Sequence, residues 1–156
     1  MTLRLARAGA ADIDAMMAVM AVAFDPGFGE AWSAAQVLGS LATGTAWAQV
    51  AHGHDTPPLG FTLCREIGPD AELLLIGVAP TARRSGIGRA LLAAAAAEAR
   101  HRAAAALFLE VRDGNVAALT LYRATGYEVI GRRRDYYRGA DGVRFDAVTL
   151  RARLDD

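Results

Sequence analysis

The order of apolar patterns along the 156 residues predicts an α/β (α+β) fold, with a mixed central sheet of about seven strands flanked by about four helices. Two observations carry this. Strand-like runs come in pairs across short turns at 45–67 and 127–150, as antiparallel hairpins do. Between them, 72–125 reads strand–helix–strand–helix, a succession that requires a crossover.

Each element has its own local signal. Thr2 to Arg7 alternates polar and apolar residues like a short strand, and Ile13, Met16, Met17, Met20 and Phe24 then recur on one face of a helix. Asp25-Pro-Gly-Phe-Gly is a loop, after which Ser33 is placed to cap a short helix running to about Ala42. Thr45–Ala51 and Leu59–Ile67 are strand-like, joined through a turn that contains Gly53, Pro57 and Pro58. Glu72 to Ala79 is a near-continuous apolar run ended by Pro80, which predicts a central strand buried on both faces. Gly86 to about Arg102 is an alanine- and leucine-rich helix, Ala105–Arg112 a buried strand, and Asn115–Thr125 a helix stopped at Gly126. Tyr127–Tyr137 and Val143–Leu150 close the chain as an antiparallel pair around Gly139-Ala-Asp-Gly.

The length is that of one domain over residues 1–156. A hydrophobic content of 53% and a charged content of 22% exclude a disordered or collagen-like chain. Seventeen basic residues, all arginine, balance seventeen acidic ones, so no global charge draws the chain to nucleic acid or an anionic membrane. With no internal lysine, no Schiff base forms within the sequence. The lone Cys64 lies in an apolar stretch and reads as a buried, inert thiol in a reducing compartment. Arg4 and Arg7 ahead of an apolar run imitate a secretory signal, but Asp12 and Asp14 and the helical spacing argue against it. No apolar stretch reaches the ~18 residues of a membrane span, and a cytoplasmic location is expected. His52, His54 and His101 show no metal-ligand spacing, so no metal is expected.

The turn Arg83-Arg84-Ser85-Gly86-Ile87-Gly88-Arg89 sits between a predicted strand and a predicted helix. Unpaired N–H groups and the positive end of the dipole at a helix N-terminus favour a phosphate there, and arginines add charge. A Walker loop is excluded for want of lysine. A dinucleotide fingerprint is weak, because Leu91 occupies its third glycine position, although Glu110 lies near the distance of a ribose-binding acid. An ordinary tight turn with solvated arginines is the plainer alternative.

The Arg83-x-x-Gly86-x-Gly88 turn after a Pro80-ended strand, with Asn115 and Tyr122 downstream, resembles the GNAT superfamily of acetyl-CoA-dependent N-acetyltransferases. The run from Leu107 to Tyr127 containing Glu110, followed by Arg132-Arg-Arg-Asp-Tyr136-Tyr137 and Asp146-Ala147, is similar to bacterial ribosomal-protein-alanine acetyltransferases. The likeness runs from about Glu72 to Leu150; earlier residues match loosely around Trp32-Ser33, and Phe145 departs from an acid common there.

The resemblance implies that Ile76, Gly77 and Val78 present backbone groups to the pantetheine arm of acetyl-CoA, while Arg84, Ser85, Gly86, Ile87, Gly88 and Arg89 cradle its pyrophosphate. Both fit the chemistry: an amide-bearing arm pairs like an added strand, and a doubly charged group suits a helix N-terminus. Gly77, in an apolar strand, reads as a bulge, a close-approach site or a packing glycine. The resemblance makes Glu110 the general base, since an ammonium cannot attack until it loses a proton; an ion pair with Arg112 or another arginine near the strand end is the bland alternative. Asn115 reads as a helix cap and by resemblance touches the coenzyme arm. Tyr122, two turns further on the same face, would protonate the departing thiolate or simply anchor the helix. Tyr136 and Tyr137 would line the acceptor pocket, against the alternative of a half-buried strand edge. The acceptor implied is a protein N-terminus, with a ribosomal protein as the first candidate. Rival readings are a GNAT enzyme for a small amine, an amino acid or a lysine side chain, a non-catalytic acyl-CoA sensor, and a dinucleotide-binding protein.

Overall fold

A computed structural model describes residues 3–154. The elements are β1 (Arg4–Ala8), α1 (Ile13–Ala23), α2 (Ala34–Leu41), β2 (Ala46–His52), β3 (Gly60–Ile67), β4 (Asp70–Val78), α3 (Ile87–His101), β5 (Ala106–Arg112), α4 (Val116–Ala124), β6 (Glu128–Arg138) and β7 (Arg144–Arg153). Short 3₁₀ turns lie at Ala10–Asp12, Pro26–Phe28 and Pro80–Ala82. The expected elements are all present, with ends shifted by a residue or a few; Thr2, assigned above to the first strand, lies outside the described residues.

Seven strands form one sheet in the order β1-β2-β3-β4-β5-β7-β6. Every neighbouring pair is antiparallel except β4 and β5, which the α3 crossover makes parallel. Two clusters of side chains fix the helices. Met16, Val19 and Met20 of α1 and Val37 of α2 pack on Ala48, Val50, Phe61, Leu63 and Leu75. Leu92, Ala95 and Ala99 of α3 and Tyr122 of α4 pack with Trp47, Cys64, Leu107, Leu109 and Leu150. The alternation Trp47 to one cluster and Ala48 to the other puts these helices on opposite faces of the sheet. Cys64 is fully buried and unpaired, and burial raises its thiol pKa, as expected of an inert core cysteine.

Two departures from the expected strands create the site. β4 and β5 pair only through Ala71–Leu107, Glu72–Phe108 and Leu73–Leu109; beyond these residues the strands part. β4 is therefore not buried on both faces: Leu73, Leu75 and Gly77 are buried, while Glu72, Leu74, Ile76 and Val78 are half-exposed. The second departure concerns the bulge, which falls at Leu74, where the register with β3 slips between Leu63–Leu75 and Cys64–Leu73, and not at Gly77. Gly77 pairs regularly with Phe61. It is a close-approach glycine: a Cβ there would meet the Phe61 ring at 2.9 Å and Ala23 and Phe24 at 3.3 Å.

Candidate active site

The parting of β4 from β5 opens a cleft of about 160 Å³. Its walls are Glu72–Ile76 of β4, Glu110 and Val111 of β5, Asn115, Ala118 and Tyr122 of α4, Tyr136 and Tyr137 of β6, and Phe24, Glu30 and Trp32 from the α1–α2 segment. Six residues singled out in the sequence, namely Ile76, Glu110, Asn115, Tyr122, Tyr136 and Tyr137, thus meet around one space.

Glu110 pairs across the sheet with Thr149 and turns its carboxylate to the cleft. Its side chain is only 9% exposed, and the partner of Oε1 is Nε of Arg133 at 2.8 Å, with Thr149 Oγ1 donating to Oε2 at 3.4 Å. Burial holds the Glu110 carboxyl above the ordinary carboxylate range, opposed by the Arg133 charge and reinforced by nearby Glu72. The ion pair of the bland alternative therefore exists, but with another arginine, Arg133; Arg112 turns away. It sits 3.6 Å over the Phe28 ring and 5.9 Å from Phe145, with Nε 3.5 Å from Glu30.

Asn115 caps α4 by accepting from the Ala118 N–H at 3.2 Å. Tyr122 is 4% exposed and edge-on to Tyr127, and burial raises its phenol pKa, so it enters the cleft as a protonated donor at neutral pH. Tyr136 and Tyr137 are adjacent yet both face the cleft, because β6 loses register between Arg133 and Tyr137 around Asp135, whose φ is +54°. The Asp135 N–H donates to Asp146 Oδ1 at 3.0 Å and fixes this kink. The Tyr137 hydroxyl donates to the Glu110 backbone carbonyl at 3.3 Å.

At the far end of β4 the glycine turn leads into α3. Unlike α2 and α4, which carry Ser33 and Asn115 as side-chain caps, α3 begins at Gly86 with no side-chain cap and no acid in its first turn. Its leading N–H groups are thus free for an anion, and Arg84 and Arg89 are exposed beside them. Ile87 is buried, so only its backbone is available, and Ser85 donates its hydroxyl to the Ala82 carbonyl. Arg83 is structural: it donates to the Val78 carbonyl at 3.2 Å and to the Ala23 carbonyl at 2.8 Å, fastening the turn to β4 and α1. A Cβ on Gly88 would lie 3.6 Å from Leu121 and 3.7 Å from Val78, so the start of α3 packs between α4 and the end of β4.

The two glycines make a testable pair. Gly86 has φ +84°, whereas Gly88 has no positive φ and ordinary room for a methyl group. Gly86→Ala is expected to cost about 1–2 kcal/mol and to weaken the binding of pyrophosphate measured by calorimetry; Gly88→Ala is expected to leave both stability and affinity close to wild type. The reverse order would remove Gly86 from the anion cradle.

The family described as the Acetyltransferase (GNAT) family matches residues 15–127. The chain belongs to the GNAT family. Over 90 residues it is 40% identical to the [Ribosomal protein bS18]-alanine N-acetyltransferase of Escherichia coli K12, an alignment covering 58% of this chain and 60% of that relative. It is 36% identical over 116 residues to the N-alpha-acetyltransferase RimI of Mycobacterium tuberculosis H37Rv, covering 73% and 63%. The chain thus spans about 60% of the length of the curated relatives it matches. The crystal structure of the Escherichia coli ribosomal-protein-S18-alanine N-acetyltransferase superposes with a TM-score of 0.86 at 27% identity, over 99% of this chain and 96% of that one.

Within this GNAT site, sequence reasoning missed Glu30, Trp32, Phe24, Glu72 and Arg133. Glu30 lies in a loop and carries no periodic signal, while Phe24 was read only as part of the apolar face of α1; the Glu30 carboxyl is held above its ordinary range by burial, opposed by Arg112. Trp32 was visible only as part of a loose likeness. No group of three or more metal-ligating side chains occurs among the described residues, and none of their helices is long and apolar enough to cross a membrane.

Proposed function

We propose that this chain is a cytoplasmic N-acetyltransferase that moves acetyl from acetyl-CoA to the α-amino group of a protein N-terminus, with a ribosomal protein as the first acceptor to test. The observation that carries the reading is the meeting of a buried carboxylate, Glu110, and a buried phenol, Tyr122, across one cleft walled by β4, the strand whose far end leads to the uncapped N-terminus of α3. The names of the relatives favour an α-amine acceptor over other amines.

The residues fit acetyl-CoA. The free N–H groups opening α3, with Arg84 and Arg89, would hold the pyrophosphate, and the β4 edge from Leu74 to Val78, left without a β5 partner, would receive the pantetheine amides at Ile76, Gly77 and Val78. The coenzyme supplies the acetyl thioester. Glu110 takes one proton from the acceptor ammonium, directly or through a water, and frees the nitrogen lone pair. The nitrogen–carbon bond then forms and the carbon–sulfur bond breaks. Tyr122 gives its proton to the departing sulfur and recovers the one lost by the new amide nitrogen; Glu110 later releases its proton to solvent. No enzyme nucleophile is used: Cys64 is buried in the core, so attack is direct, in a ternary complex. Tyr136 and Tyr137 would flank the acceptor's first residues.

The test is free-thiol release from acetyl-CoA with a panel of acceptors: an alanine-led ribosomal-protein peptide, its amino-blocked form carrying lysine, small amines and amino acids. Turnover of the free-N-terminal peptide alone is expected. Turnover of only lysine or small amines would overturn the α-amine acceptor, and coenzyme binding without any turnover would leave an acyl-CoA sensor.

A further inference from the structure

Of the two polar partners of the Glu110 carboxylate, only Arg133 is charged, and the two members of that pair differ sharply in exposure. The Arg133 side chain is 62% exposed and that of Glu110 9%. The guanidinium reaches in from β6, an edge strand exposed along nearly its whole length, passes 5.6 Å from the Tyr136 ring and covers the carboxylate. Among the described residues no other acid holds it. Its neighbour Arg132, by contrast, is engaged by both Asp113 and Asp146. Regular β6–β7 pairing also stops at Arg133 and resumes only at Tyr137.

We propose that Arg133 is a positioning residue: the resting counter-ion of Glu110, standing where the acceptor's ammonium stands once it is bound. The proposal rests on the reading of Glu110 as the base. A buried carboxylate without a cation is costly, so the empty enzyme needs one beside it. An incoming ammonium exchanges for the guanidinium at constant charge, and a side chain already mostly in water loses little by returning to it. Arg133 leaves still protonated. The ammonium then passes one proton to Glu110, becoming a neutral amine beside a neutral acid, and the returning guanidinium helps to expel that proton after acetyl transfer.

The groups facing Glu110 fix the sign of the pH effect. Arg133, Tyr136 and Tyr137 face it from β6, Thr149 from β7, and Glu72 from β4 with Arg65 of β3 paired to it at 2.7 Å. Arg133 and Thr149 favour the ionised carboxylate; burial and Glu72 oppose it. Removing Arg133 leaves the opposing causes in place, so the carboxyl titrates at higher pH.

The experiment compares wild type, Arg133→Ala, Arg133→Lys and Glu110→Gln in the full chain. It reads the acid limb of kcat/KM for the acceptor and, independently of turnover, the titration of the Glu110 side chain by NMR of protein labelled at the glutamate carboxyl carbon. Arg133→Ala is expected to move both to higher pH, to match or exceed the wild-type kcat/KM above the limb, and to leave the acetyl-CoA KM unchanged. Arg133→Lys restores the wild-type limb. A uniform loss at every pH with no movement of the limb or the titration overturns the proposal. If Arg133→Ala does not fold, Arg133→Gln serves the same comparison. Full activity of Glu110→Gln would remove the base and this proposal with it; an inactive Glu110→Gln beside an unmoved Arg133→Ala limb would remove this proposal alone.

Discussion

Glu110→Gln is expected to lower kcat/KM for the acceptor by about 10²–10⁴-fold, the usual contribution of a positioned base. Acetyl-CoA affinity should stay within about twofold, which for binding is less than 0.5 kcal/mol. Glutamine keeps the shape and leaves one oxygen to accept from either Arg133 or Thr149, which meet different oxygens of the carboxylate; the lost quantity is the ability to take a proton. The deficit should shrink as the pH is raised, because the free amine then arrives already deprotonated. Steady-state thiol release across pH, together with calorimetry of acetyl-CoA, reads both parts. A deficit unchanged up to the pH at which the acceptor is fully deprotonated would assign Glu110 to holding the acceptor instead of to proton transfer.

Gly139→Ala is expected to damage the acceptor side without touching the coenzyme side. The β6–β7 turn lies backbone to backbone on the α1–α2 segment: the Ala140 N–H donates to the Pro26 carbonyl at 3.1 Å, and a Cβ on Gly139 would stand 1.9 Å from the Gly27 carbonyl oxygen. Backbone cannot yield as a flexible side chain does. Forced separation should cost about 1–3 kcal/mol, as overpacking does, and lower Tm by roughly 2–10 °C at this chain length. Because the displaced segment carries Glu30 and Trp32 into the cleft, the acceptor KM should rise severalfold while acetyl-CoA binding holds. Calorimetric melting and the two KM values check this; loss of acetyl-CoA binding would mean that the clamp supports the whole cleft.

The mixed sheet and its order of elements were legible because they rest on period. The strand-like runs of β2 and β3 on either side of a Gly/Pro turn, the Ser33 cap and the crossover at 72–125 each follow from local residue type. The site was legible where a motif marks it, as at Gly86 and Glu110. What escaped the sequence depends on register and on distant approach. The Leu74 bulge and the slip around Asp135 leave no compositional mark, yet the first accompanies the opening of β4 and the second turns two adjacent tyrosines to one side. The partner of Glu110 was sought in Arg112, two residues away, or in another arginine near the strand end, and is Arg133, twenty-three residues on, because pairing across β7 decides which arginine reaches it. Glu30 was missed for the same reason: a loop acid gains meaning only when folding sets it over the cleft.

The parting of β4 from β5 also has a mechanical meaning. The sheet is continuous in name, but its amino-terminal four strands and carboxy-terminal three are stitched by three residue pairs and the side chains beneath them. An extended guest bearing amides along the open margin would act as the missing length of strand, so that the two halves of the sheet would be joined along their full length only while the guest is held.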